Sequence, residues 1–179
     1  MSHPLVLSHA SLASDEDSKV VFSCLSYGNV VLEEGGSESD LHEAVLRIRA
    51  IEIFGQQVSN GGFSQFVYNT AWGEDLRLWV AEGLEWIGAT EHLAYFLAQS
   101  AKVEVVRSEG RLDEFLEGAY FGKNPVRDEL NDRSYFDIDA DLVALSAAWL
   151  RNHPDVVPHT IDEMFDRAEG IVGHPISRT

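Results

Sequence analysis

The chain has one cysteine, Cys24, two methionines and five prolines in 179 residues, and only thirteen lysines and arginines against thirty acidic residues. A single cysteine permits no intrachain disulfide, which excludes a small secreted scaffold held together by cystines. The shortage of bases leaves a formal net charge of -17. Direct binding to a nucleic-acid backbone is disfavoured, because it needs a basic stripe that neutralises phosphates. Adsorption to anionic membranes is disfavoured on the same ground. No base precedes Lys19, and the longest apolar run at the start is Leu5-Val6-Leu7. That is too short for a secretory signal, and no window approaches the roughly 20 apolar residues of a membrane span, so the default location is the cytoplasm.

Catalytic and metal-binding signatures are also missing. There is no GxSxG elbow, no Walker loop and no GxGxxG. The seven histidines are scattered, with no HExxH or HxxxH pair, so zinc is not expected. Asp137, Asp139 and Asp141 alternate like the start of a calcium loop, but Leu142 and Ala148 stand where an EF-hand needs Gly and a bidentate Glu. Those acids are read as decoration at the start of a helix. No catalytic residue, metal or cofactor is assigned, and an enzyme acting on a small molecule is kept only as a remote reading.

What is present is a chain able to fold. Apolar residues make up 45% and aromatic residues 10% of it, and a domain near this size buries roughly 70% of the surface its unfolded chain exposes. The acids are spread evenly: nine against three bases over 1–60, ten against four over 61–120, and eleven against six over 121–179. Such a spread also serves plain solubility.

The pattern is that of a mainly α-helical, all-α single domain over 15–179, after a loosely ordered lead-in over 1–14. A first helix is read near 15–26, against a competing hairpin in which Val20-Val21-Phe22 and Val30-Val31-Leu32 flank Tyr27-Gly28-Asn29. Asp40 and Glu43 have capping-box spacing before Leu41, Ala44, Val45, Ile48, Ile51, Phe54 and Val58, an amphipathic helix that ends near Ser59. Further helices are predicted through Phe63, Phe66 and Val67, over 74–87 with Gly88 as its C-terminal cap, from Thr90 to about Val106, and near 111–121, 139–152 and 160–170. Thr160 and Glu163 form a second capping box. Trp72, Trp79 and Trp86 recur every seven residues. The apolar helix after residue 74 is read as core, with a contact to a second subunit as the alternative.

The most distinctive segment runs from Gln57 through Asn60, Gly61, Gly62, Phe63, Gln65 and Phe66 to Asn69. Asn-Gly-Gly permits a sharp reversal between helices. The two Phe residues would pin the second helix to the core, and Gln65 and Asn69 could satisfy free backbone groups at the corner. The segment is therefore read as structural. The pattern NGGFxQFxxN, followed by Leu84-Glu85-Trp86-Ile87-Gly88-Ala89, an Ala-rich helix and Phe136-Asp137-Ile138-Asp139, resembles the acidic bacterial DNA-mimic protein family over about 40–157. Family members often carry Glu-Val where Gln57-Val58 stands here.

The resemblance implies a mainly helical dimer whose carboxylates act as surrogate phosphates toward a basic DNA-binding protein, such as a transcription regulator or nuclease. An acidic immunity or inhibitor protein for a basic nuclease or toxin is the alternative. Duplex DNA carries one charge per 1.7 Å, or about 24 along the roughly 40 Å diameter of a globule this size. A charge of -17 on all faces falls short of that, so mimicry needs a dimer or clustered acids. The richest runs, and hence the candidate partner-binding residues, are Asp15, Glu16 and Asp17; Glu33, Glu34, Glu38 and Asp40; and Asp128, Glu129 and Asp132.

Overall fold

The computed structural model describes residues 3–178. Among them the order is β1 (Leu5–Ser8), α1 (His9–Leu12), α2 (Asp17–Glu33), α3 (Glu43–Gly61), α4 (Phe63–Asn69), α5 (Glu74–Trp86), α6 (Thr90–Ser108), α7 (Leu112–Glu117), α8 (Pro125–Leu130), α9 (Leu142–Asn152), β2 (Val156–His159) and α10 (Ile161–Val172). The protein is mainly α-helical. It divides into two compact units, residues 1–49 with 141–179, and residues 50–140.

In the first unit, β1 and β2 pair in parallel with Leu5 opposite Val156 and Ser8 opposite His159. The lead-in expectation is corrected over 5–8, which form a wholly buried strand rather than a loose segment; Met1 and Ser2 lie outside the described residues. The Ser8 N–H donates to Ser23 Oγ on α2 at 2.8 Å, which ties the strand to the helix above it.

The hairpin reading is overturned by α2, which runs unbroken through Gly28. Val20, Val21, Cys24, Tyr27 and Val31 are buried at helical spacing, so tertiary packing outweighs the β preference of the valines. Gly28 permits close approach: a Cβ there would stand 2.5 Å from Val45 Cγ1 at the start of α3. Burial pushes the Cys24 thiol up to about 12, which makes it an inert core group.

The capping box expected from Asp40 and Glu43 forms elsewhere. Asp40 closes a 3-10 turn over Glu38–Asp40, accepting from the Ser37 N–H at 2.8 Å and the Ser37 hydroxyl at 2.6 Å. These bonds hold its carboxyl below the ordinary carboxylate range. At the start of α3 it is His42 Nδ1 that accepts, from the Ala44 N–H at 3.1 Å. Thr90 makes no capping bond, and Ala89 occupies that position at α6. The Thr160 and Glu163 box is formed as predicted, and Asp141 caps α9 by accepting from the Val143 and Ala144 N–H groups.

The second unit is organised around aromatic rings. Phe54 meets Phe66 edge-on at 5.6 Å, Phe96 at 5.5 Å and Tyr135 at 6.0 Å. Phe63 and Trp72 add a further T-shaped pair at 5.8 Å. Edge-to-face pairs of this kind add about 0.5–1.5 kcal/mol beyond the area they bury. Only Trp72 of the three heptad tryptophans is fully buried, and it lies before α5 in a left-handed turn with φ 53. Trp79 and Trp86 are half-buried on α5.

Candidate functional site

The Asn-Gly-Gly corner is a structural joint. Gly62 has φ +81, as the required reversal predicts, and Phe63 and Phe66 are fully buried. Gln65 and Asn69 do not serve the free backbone groups, contrary to expectation. Both donate to Gln57 Oε1, at 2.9 and 2.7 Å. The backbone is served instead by residues far along the chain. Asn131 Oδ1 accepts from the Ser64 N–H at 3.0 Å, and Asn131 Nδ2 and Tyr120 Oη each donate to the Gly61 carbonyl at 3.2 Å. Asn131 sits on the open side of Gly62, where any added Cβ would strike its amide.

The three acidic runs have unequal surroundings. Asp15, Glu16 and Asp17 lie at the start of α2, where negative charge favours the helix macrodipole; Glu16 pairs with Lys19 at 2.6 Å and Asp17 with Arg151. Glu33 and Glu34 lie at the other end of that helix, about 26 Å away at 1.5 Å per residue. Glu38 and Asp40 follow in the 3-10 turn. In the second unit, every acid of the third run is held by a base: Asp128 by Arg127 at 2.8 Å, Glu129 by Arg111 at 2.8 Å and Asp132 by Lys102 at 2.8 Å.

Asp132, a third exposed, is further committed to contacts within the fold. It accepts from Gln99 and from the Ser134 hydroxyl and N–H. Burial raises its pKa, but bonds from Lys102, Ser134 and Gln99 outweigh that and hold the carboxyl at about 2, against an ordinary 3.8. A depressed folded-state pKa contributes stability that is complete above the ordinary value and is lost as pH falls through the folded one. Asp132→Asn should therefore lower the urea midpoint at neutral pH, and the gap to the parent protein should close as pH falls from about 4 to about 2. A gap that persists unchanged at the acid end would show that the carboxylate charge is not what stabilises the fold.

Sequence reasoning missed the acids that remain free. Glu74 and Asp75 open α5, Glu91 opens α6, and Asp113 and Glu114 open α7. With Glu85 and Glu117 they are exposed and take no base partner in the second unit. Their signal was present in first-turn positions, where acids stabilise a helix by about 0.3–1 kcal/mol each, but they do not form dense runs. Lys123 is exposed beside Glu114, but three other bases nearby are spent on other acids. Arg77 and Arg107 both bind Glu104 at 3.1 Å, Arg77 also lies over the Trp72 ring at 4.8 Å, and Arg111 bridges Glu109 and Glu129.

Folding also brings together three potential metal ligands that the scattered histidine positions did not suggest. His42, His153 and Asp155 offer atoms within 4.8 Å of one another in the first unit. The hydrogen bonds argue against a metal there. His42 Nδ1 accepts from Ala44 N–H, so the neutral ring carries its proton on Nε2, 3.2 Å from Asp155 Oδ2. His153 Nδ1 accepts from the Asp155 N–H at 3.2 Å. A ring that binds metal through Nε2 must carry its proton on Nδ1, so both would first have to surrender these bonds. Burial, with His42 alongside, pushes the His153 pKa down. The trio braces the turn that leads into β2.

These features define an acidic, mainly helical protein whose bases are largely consumed in local ion pairs while carboxylates stand free at helix starts. A family model described as DMP19-like protein matches residues 39–153, and the chain belongs to that family, whose name denotes DNA mimicry. No curated protein and no solved structure matches it. No helix among the described residues is long and apolar enough to cross a membrane.

Proposed function

We propose that the protein is a non-enzymatic DNA mimic that works in the cytoplasm by occupying the basic DNA-binding surface of a protein partner, a transcription regulator or nuclease. Its carboxylates pair with the partner's Arg and Lys in place of phosphates and exclude DNA by competition. The observation that carries this reading is the exposure of Glu74, Asp75, Glu85, Glu91, Asp113, Glu114 and Glu117 within the family-matched segment. Arg77, Arg107 and Arg111, which could repel a cationic partner there, are tied up by Glu104, Glu109 and Glu129, while Lys123 and Arg133 are exposed.

The mimic is a homodimer in this reading, which raises the charge presented toward that of duplex DNA. Leu78 on α5 and Leu97 and Val105 on α6 are each more than half exposed and would be the apolar side chains such a pairing covers. The test is a three-way competition among this protein, a basic DNA-binding protein and that protein's cognate duplex, read by native electrophoresis with sedimentation of the complex. The expected result is release of DNA and a complex containing two copies of the chain. A ternary complex with DNA still bound would refute mimicry. Inhibition of a nuclease within such a ternary complex would favour the immunity-protein alternative.

A further inference from the structure

In the first unit, α2 and α10 leave an open cleft of about 110 Å³ between them. Tyr27, Met164 and Ala168 form its floor, with Ser26, Val30, Ile161 and Phe165 as walls, and the surface it exposes is apolar. At its lip Ile161 is 56% exposed, and one turn before Ser26 Phe22 is 70% exposed. A concave apolar opening of this kind can receive a single side chain from a partner. The rim is acidic. Glu33 is exposed one turn beyond Val30, and Asp162, Asp166 and Glu169 line the outer flank of α10, where Arg178 pairs with all three and lies over the Phe165 ring at 5.4 Å, leaving three acids against one base on that flank. The other base beside the cleft, Arg167, is engaged with the Tyr27 hydroxyl. Both helices lie outside the family-matched segment.

We infer that this cleft seats one large apolar side chain from a basic amphipathic helix, whose Lys and Arg residues meet the carboxylates on the rim. The inference rests on the proposed binding of a basic protein and adds the part of recognition that charge alone does not supply. Exposed charge pairs speed encounter and orient the partner, but contribute modestly to affinity. A single side chain anchored in a desolvated pocket commonly dominates it. The cleft suits such an anchor, since an apolar cavity of about 150 Å³ admits benzene and one somewhat smaller admits the end of a Leu or Met. Helix-in-groove docking supplies such anchors at i, i+3, i+4 and i+7.

The test uses two synthetic helical peptides of identical composition, one with a Leu stripe flanked by Lys and Arg, the other permuted so that no stripe forms. Fluorescence anisotropy at physiological ionic strength should show the striped peptide binding at least about tenfold more tightly, the scale of a lost anchor. Ile161→Ser and Phe22→Ser alter exposed side chains and should fold normally by circular dichroism. Each should reduce binding of the striped peptide to the level of the permuted one, as should Ser26→Phe, which fills the cleft. Equal binding of the two peptides, or variants with parental affinity, would overturn the inference and leave charge as the sole determinant. A homodimer that dissociates in Ile161→Ser would overturn it too, by assigning the cleft to a second copy. The competition with DNA is scored separately. If the chain fails to displace DNA but still binds the striped peptide through the cleft, mimicry falls and the cleft assignment stands. If Ile161→Ser displaces DNA as well as the parent while the peptides bind alike, the reverse holds.

Discussion

Phe66→Ala should lower the unfolding free energy by about 3–5 kcal/mol, the usual loss for truncating a buried Phe. The ring has no exposed surface and packs against Phe54 at 5.6 Å, Phe63 at 5.7 Å, and Trp72 and Phe96 at 6.2 Å. With all four neighbours rigidly placed, the cavity has little means of collapsing. Total stability of a domain is about 5–15 kcal/mol, so this single change removes a large share of it. Gly62→Val should be comparably damaging for a different reason. It places a β-branched residue at φ +81, where such residues are outliers, and drives its Cβ into Asn131. Urea denaturation monitored by tryptophan fluorescence measures both, and a parental midpoint for Phe66→Ala would remove the corner from the core.

The second large effect concerns the kinetics of association with a basic DNA-binding protein. Neutralising Glu74, Asp75 and Glu114 to their amides should slow association by about tenfold and flatten its salt dependence, because unpaired exposed charges steer a cationic partner. Neutralising Asp128 and Glu129 acts differently. It releases Arg127 and removes one of the two acids on Arg111, so each lost carboxylate also uncovers positive charge. The expected slowing per residue is larger. Stopped-flow mixing at low and physiological ionic strength, where screening sets in beyond about 8 Å, provides the readout. Circular dichroism guards against unfolding, since first-turn acids also support their helices. Association rates that do not move in either variant would leave the acids as a solvated surface with no role in recognition.

Much of the fold was legible because helix signals are local. The three- and four-residue apolar spacing from Leu41 to Val58, the Thr160 and Glu163 box and the Gly62 reversal all follow from residues within a few turns of one another, and each appears in the structure. Asn124 and Pro125 also carry a local signal for α8, an N-cap followed by Pro in the first turn, but the six-residue helix leaves too short a periodicity to stand out. The β-prone valines of α2 misled because burial against several neighbours, not intrinsic preference, decides the state of a short apolar run.

What the sequence by itself determined was helical class, acidity, the corner at Gly62 and the resemblance to a DNA-mimic family, since composition, capping and period are properties of neighbouring residues. Only the tertiary structure decided which charges are available. Asp132 became an anchor between helices because Lys102, thirty residues earlier, reaches it, and Glu74 and Asp113 stayed free because no base does. Folding likewise paired Leu5–Ser8 with Val156–His159, and joined His42 to Asp155. It also opened the cleft between α2 and α10. The strand pairing, the His42–Asp155 contact and the cleft each depend on contacts across more than a hundred residues of chain, and no local propensity encodes them, because the free energy that fixes them comes from surfaces that meet only after collapse.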